Sequence, residues 1–239
     1  MEGEHDLDAL VRRVDPDRWL ATRFIADPVK RADVVALYAF NHELARAAEV
    51  TSQPLLGEIR LTWWREALAE IYRGRTVRRH PAVEALALAA ERQAWPEAEL
   101  EALIDARSDA LDAGPPLDSE RFLGALDAGA GALMLLAART LDRPVPLDAV
   151  RGAGRAWGAA GLSRLQAAGG PRRLPPGFDV GLAVREALRD ARLEARLLPV
   201  AAFPAVAYAT LARAYAAGRN PGPLQKQARL LWAVTRGRL

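Results

Sequence analysis

Asp105 and Asp109 stand four residues apart in Asp105-Ala106-Arg107-Ser108-Asp109, a literal Asp-x-x-x-Asp. On a helix such a pair shares one face, and two carboxylates there offer the hard oxygen ligands that Mg²⁺ prefers. Their surroundings favour a plainer role, because Glu97, Glu99, Glu101 and Asp112 make the same stretch an acidic, solvated face. Glu186, Asp190 and Glu194 repeat the spacing, but Arg185, Arg189, Arg192 and Arg196 alternate with them in the pattern of a surface salt-bridge face. His42 has a side chain that titrates near neutrality, yet no serine or cysteine nucleophile is recognisably paired with it. The three histidines (His5, His42, His80) are too scattered for a His-based metal site. The lack of cysteine excludes disulfides, thiolate nucleophiles and Cys-ligated zinc or iron–sulfur clusters. No glycine-rich phosphate loop of the Walker or dinucleotide type is present. Among the basic residues only Lys30 and Lys226 are lysine, and the arginines bind phosphate and carboxylate bidentately.

The elements that must position these groups are helices. The 239 residues are 51% hydrophobic and 26% charged, the composition of a soluble globular protein with one substantial core. A net charge of +3 and a pI near 9.7 permit anionic partners without selecting one. The acidic start gives no secretory signal, and no apolar run reaches the about 20 residues of a membrane span. A cytoplasmic protein is expected, with peripheral contact at the inner membrane as the membrane option. Alanine, leucine, arginine and glutamate dominate, and nearly every segment has helical periodicity. Helices are expected at 6–13, 16–26, 29–50, 57–73, 81–93, 97–112, 119–140, 147–167, 180–197, 200–217 and 223–236. Asp15-Pro16 and Asp27-Pro28 each offer an N-cap followed by proline at the first helical position, and Asp118-Ser119-Glu120 caps another start. None of the loops reads as an interdomain linker, so residues 1–239 read as one all-α domain.

Helix 29–50 carries a buried stripe of Val34, Leu37, Phe40, Leu44 and Ala48. In the next helix Trp63 and Trp64 are adjacent and cannot share one face, so they divide between core and boundary or line a groove. The run Leu37-Tyr38-Ala39-Phe40 followed by Gly57-Glu58-Ile59-Arg60-Leu61-x-Trp63-Trp64-Arg65 resembles the squalene/phytoene synthase family. More pieces follow in order: Arg73-Gly74, His80-Pro81, Leu103-Ile104-Asp105-Ala106-Arg107-x-Asp109, Ala128-Gly129-Ala130-Gly131, Gly154-Arg155-Ala156 to Arg164, and Arg172-Arg173-Leu174-Pro175. The resemblance runs from about residue 15 to 236. It implies an isoprenoid-synthase-like helical bundle around a central cavity.

Enzymes of that family join two prenyl diphosphates head to head, with the leaving diphosphate neutralised by Mg²⁺ held on two aspartate-rich motifs. The resemblance puts the first pair at Ala45 and Arg46, with a further acid at Glu49, so only Glu49 remains acidic. An alanine supplies no ligand and an arginine repels the metal. The second motif should lie between Arg164 and Leu174-Pro175, where Leu165 to Arg173 holds no carboxylate. The segment Ala39-Phe40-Asn41-x-Glu43-Leu44-Ala45 is most similar to the divergent branch containing the mitochondrial NADH dehydrogenase (complex I) assembly factor. That likeness implies a noncatalytic complex I assembly or scaffold-type protein with no cofactor. On this reading Asn41, Glu43 and Glu49 occupy the old metal face, and Arg46 replaces the cation there. Arg60, Arg155 and Arg164 match retained basic positions that face the same mouth or pair with local acids. Tyr38, Trp64 and Phe122 are cavity-wall or core residues.

The partners so implied are a prenyl diphosphate or lipid in the cavity and respiratory-complex subunits. The alternative is an active prenyl-diphosphate transferase that binds Mg²⁺ through atypical ligands, Asp105 and Asp109 first. Nucleic acid ranks last, since the basic residues are interleaved with acids instead of forming one stripe. For peripheral membrane contact the candidates are Val200 to Ala217 and the amphipathic Arg229 to Arg236.

Overall fold

A computed structural model describes the chain except residues 1–5, 50–53, 113–115, 117 and 171–173, together with the side chains of Ala48, Glu49, Pro54 and Asp112. Among the described residues every regular element is helical. The chain divides into two compact units, residues 1–112 and 113–239.

The first unit holds α1 (Leu7–Val14), α2 (Pro16–Thr22), α3 (Pro28–Glu49), α4 (Pro54–Tyr72), α5 (Pro81–Gln93) and α6 (Glu97–Asp112). Helix α3 packs against the other five and forms the centre of the unit. Every residue from Asp33 to Phe40 is buried, so this stretch is enclosed on all sides, and Leu44 extends the expected stripe. The starts follow the capping chemistry expected of them. Asp15 Oδ1 accepts the Arg18 N–H at 3.3 Å, and Asp27 Oδ1 accepts those of Val29 at 2.8 Å and Lys30 at 3.2 Å. Helix α2 stops at Thr22, short of the expected 26. Phe24 and Ile25 turn to carbonyls only three residues back, at 3.1 Å each, in a tight last turn that leads into Asp27-Pro28.

Buried Asp33 ties α3 to α5. Arg92 engages its carboxylate, with Nε 3.1 Å from Oδ1, and Gln93 Nε2 donates to Oδ2 at 2.7 Å. This link spans 59 residues of sequence. It holds the buried middle of α3 in register beneath the polar residues that follow Phe40.

The second unit holds α7 (Ser119–Leu126), a π-helical turn (Asp127–Gly131), α8 (Ala132–Leu141), α9 (Asp148–Ala167) and α10 (Val180–Glu194). Three 3₁₀ segments (Ala195–Leu197, Val200–Ala205, Ala207–Leu211), α11 (Ala212–Ala216) and α12 (Pro223–Arg236) complete it. From Ser119 to Leu141 the backbone is one 23-residue rod, long and apolar enough by length and composition to cross a membrane, unlike the sequence reading. Phe122, Leu126, Leu133, Met134 and Leu136 spend that apolarity in the core of the unit.

Helix α9 approaches its neighbours through glycine. A Cβ on Gly154 would lie 2.7 Å from Gly131 Cα in the π turn, and one on Gly152 would lie 2.6 Å from the Ala187 carbonyl of α10. Both neighbouring atoms belong to backbone, so only glycine allows these packings. The helix expected at 200–217 is instead mostly 3₁₀. Pro204 has no N–H to give Val200, and the backbone closes with three-residue bonds such as Val206 N–H to Phe203 O at 3.0 Å and Ala209 N–H to Val206 O at 2.9 Å.

Candidate functional site

The polar residues after Phe40 contact α6 and one another, and α4 and α6 are tied by contacts of their own. Asn41 accepts a hydrogen bond from Arg107 Nη2 of α6 at 3.1 Å. Arg46 Nη1 lies 3.3 Å from both carboxylate oxygens of Glu43. In α4 and α6, Arg65 meets Asp105 at 3.0 Å and Glu58 at 3.7 Å, while Ser108 donates to Glu58. Glu43, Glu58 and Asp105 are each engaged by a guanidinium.

That arrangement does not fit Mg²⁺. A divalent metal needs several unprotonated oxygens converging at about 2.1 Å. The expected first-motif positions hold Ala45, with no donor atom, and Arg46, whose positive charge is already at Glu43. The Glu49 side chain lies outside the described residues. Asp105 and Asp109 are both exposed, and the former is paired with Arg65. Among the described residues, no three of His, Asp and Glu stand close enough to hold a metal ion.

Tyr38 and Trp64 are buried in the first unit, and Arg60 is exposed on α4. The Arg18 guanidinium lies 5.6 Å from the centre of the Tyr38 ring. Trp64 joins an aromatic cluster, 5.3 Å from Phe40, 5.0 Å from Trp63 and 5.3 Å from the His80 ring, each edge to face. Arg78 covers Trp63 at 4.7 Å and is held by Glu70 at 2.5 Å and Glu66 at 3.3 Å. The Arg78 hydrogen bond is the main force that lowers the Glu70 carboxyl from its usual range. The adjacent tryptophans thus divide between core and boundary, and His80 serves as an aromatic wall at the start of α5.

In the second unit, Arg155 makes a bidentate pair with Asp127 at the head of the π turn, Nε to Oδ1 at 2.8 Å and Nη2 to Oδ2 at 2.6 Å. Arg164 is exposed and lies 4.0 Å from the centre of the Tyr215 ring. Phe122 is buried against Phe178 at 4.7 Å. Of the expected second-motif stretch, residues 171–173 lie outside the described residues, and Leu165 to Gly170 bring no carboxylate. Glu194 accepts the Gly152 N–H at 2.7 Å, and burial pushes its carboxyl above the usual range.

Within its own unit the structure joins Glu43 to Arg46 along α3, while Asn41, about 200° round the helix from Glu43, meets Arg107 of α6, and Asp105 pairs with Arg65 of α4. Sequence reasoning missed Arg107, Arg65, Glu58 and Asp33 as partners. Their acids and bases are 40 to 66 residues apart where they join α3 or α4 to another helix, and spacing along one chain carries no signal for that.

A family model for squalene/phytoene synthases matches residues 11–166. No curated protein matches the sequence. Among solved structures, a dehydrosqualene synthase determined in complex with ligand superposes with a TM-score of 0.79 at 13% identity, covering 96% of this chain and 94% of that one. A squalene synthase from Alicyclobacillus acidocaldarius gives a TM-score of 0.65 at 15% identity, covering 98% and 94%. At these identities the likeness establishes a common fold, as the sequence led us to expect.

Proposed function

We propose that this chain, which belongs to the squalene/phytoene synthase family, is a noncatalytic member that works through protein contacts in the assembly of respiratory complex I. One observation carries the noncatalytic part. Arg46 stands where the family has a metal-binding aspartate, and it engages both Glu43 oxygens at 3.3 Å. A guanidinium in that place repels a divalent ion and occupies the nearest carboxylate. The Arg65–Asp105 and Asn41–Arg107 contacts support the same reading, since they use the polar groups of α3, α4 and α6 for internal cohesion.

The complex I role rests on the likeness of Ala39-Phe40-Asn41-x-Glu43-Leu44-Ala45 to the branch with the complex I assembly factor. In such a role the helices hold a surface in a fixed shape, and no residue transfers a proton or stabilises a leaving diphosphate. Deleting the gene from its host tests this. The expected result is less assembled NADH dehydrogenase on native gels with unchanged squalene and carotenoid precursors. Intact complex with altered isoprenoids would contradict it.

A further inference from the structure

Charge in this chain is segregated. Up to Glu194 there are 26 basic residues against 30 acidic ones; from Ala195 to Leu239 there are seven basic residues and no acid. The interleaving of signs that argues against a basic stripe ends at Glu194. Within the acid-free segment lies α12, and its exposed side is unusual.

Helix α12 is apolar on two sides. Leu230 and Ala233 are buried, and the helix packs on the 3₁₀ segments at 200–211. That seam satisfies what an amphipathic helix of a globular protein requires, and the opposite side is ordinarily polar. Here Leu224, Ala228, Leu231 and Thr235 follow one another at four- and three-residue steps, which aligns them on one outward stripe. Leu224 is 80% exposed, Leu231 52% and the adjacent Trp232 51%. Arg229 and Arg236, both exposed, flank the stripe on the Trp232 side. Val200, in a segment that α12 packs on, is 78% exposed as well.

We infer that the outward face of α12 seats the protein on an anionic lipid bilayer surface. The complementarity is twofold. Arg229 and Arg236 stand beside the stripe in a segment with no Asp or Glu, which suits anionic headgroups. Leucines and a tryptophan between the arginines reach the boundary of headgroup and acyl chain, where indole rings are favoured. Nucleic acid is a poorer match, because it would place the apolar stripe against phosphates. At 14 residues the helix extends about 21 Å, short of the about 30 Å hydrocarbon core, so it lies in the plane of the surface. This inference stands apart from the proposed function and fails or holds without it.

Vesicle flotation of the full chain tests it, using neutral phosphatidylcholine vesicles and vesicles with about a third phosphatidylglycerol or cardiolipin. Binding to the anionic vesicles alone is expected, weakened by high salt. Two variants, Leu224→Ser/Leu231→Ser/Trp232→Ser and Arg229→Gln/Arg236→Gln, should each lower the bound fraction by about tenfold or more. All five side chains are exposed, so helicity and melting should be unchanged; should the apolar variant misfold, the arginine variant decides alone. Equal binding by parent and variants, equal binding to neutral vesicles, or no binding would overturn the inference. So would preferential α12-dependent binding of duplex DNA, or an α12-dependent dimer in sedimentation, which would show a second copy covering this face.

Discussion

Removing Arg92 should damage this protein more than neutralising the residue it pairs with. Asp33 has no exposure and is held by Arg92 and Gln93, whereas the Arg92 side chain is 42% exposed. Arg92→Ala leaves a buried carboxylate with an amide in place of a cation, and stranding such a charge costs about 3 kcal/mol. Asp33→Asn keeps the shape and an acceptor while the freed guanidinium turns to water, so its cost is about 1–2 kcal/mol. In the Arg92→Ala background the same Asp33→Asn change removes the stranded charge and should stabilise the chain by about 1–2 kcal/mol. Urea denaturation of the four proteins, followed by circular dichroism, gives the cycle. The reasoning is refuted if Asp33→Asn destabilises the Arg92→Ala protein further, or if it costs the parent more than Arg92→Ala does. The outcome bears on function because α3 carries Asn41, Glu43 and Arg46, and this link sets its register.

Gly154→Ala should destabilise by about 1–3 kcal/mol, because the added Cβ meets the Gly131 backbone at 2.7 Å and α9 must move off the π turn; thermal melting reads it, and Gly161→Ala, with open space at its Cβ, is the control. Burial holds the Glu194 carboxyl above its usual range, so the folded state keeps that proton more tightly than the unfolded one. The resulting contribution to stability is full below the unfolded value and lost as pH rises through the folded one. Glu194→Gln, which can still accept the Gly152 N–H, should therefore melt higher than the parent at neutral pH, and the difference should vanish below about pH 4. Asp105→Asn removes a partly exposed pair with Arg65 and should cost under about 1 kcal/mol in chemical denaturation without changing Mn²⁺ binding; a loss of Mn²⁺ affinity would revive Asp105 as a ligand.

The helix starts were legible because their signals are local. Asp15-Pro16, Asp27-Pro28 and Asp118 each announce a cap, and the structure gives each its hydrogen bond. The ranges 81–93 and 97–112 coincide with α5 and α6. The alanine-rich 200–217 misled by composition: propensity favours an α-helix, but Pro204 withholds the donor that its fourth-residue bond needs. The π turn at Asp127–Gly131 has no local signature, and it is fixed by Arg155 from 28 residues away. The same applies to the candidate site. Glu43 and Arg46, three residues apart, were within reach of local reasoning, while Asn41–Arg107 and Arg65–Asp105 depend on how helices pack. The sequence itself supplies only the residue types, Ala45 and Arg46 among them, and not the partners that other helices bring to them.

Diphosphate release is the most direct measurement of whether the chain is noncatalytic. Purified protein would be given farnesyl or geranylgeranyl diphosphate with Mg²⁺ or Mn²⁺, beside an active squalene synthase, with lipid products extracted from both. No release above the protein-free rate, and no squalene or phytoene, is the expected result. Turnover that EDTA abolishes would contradict it and would require atypical metal ligands, Asp105 and Asp109 first.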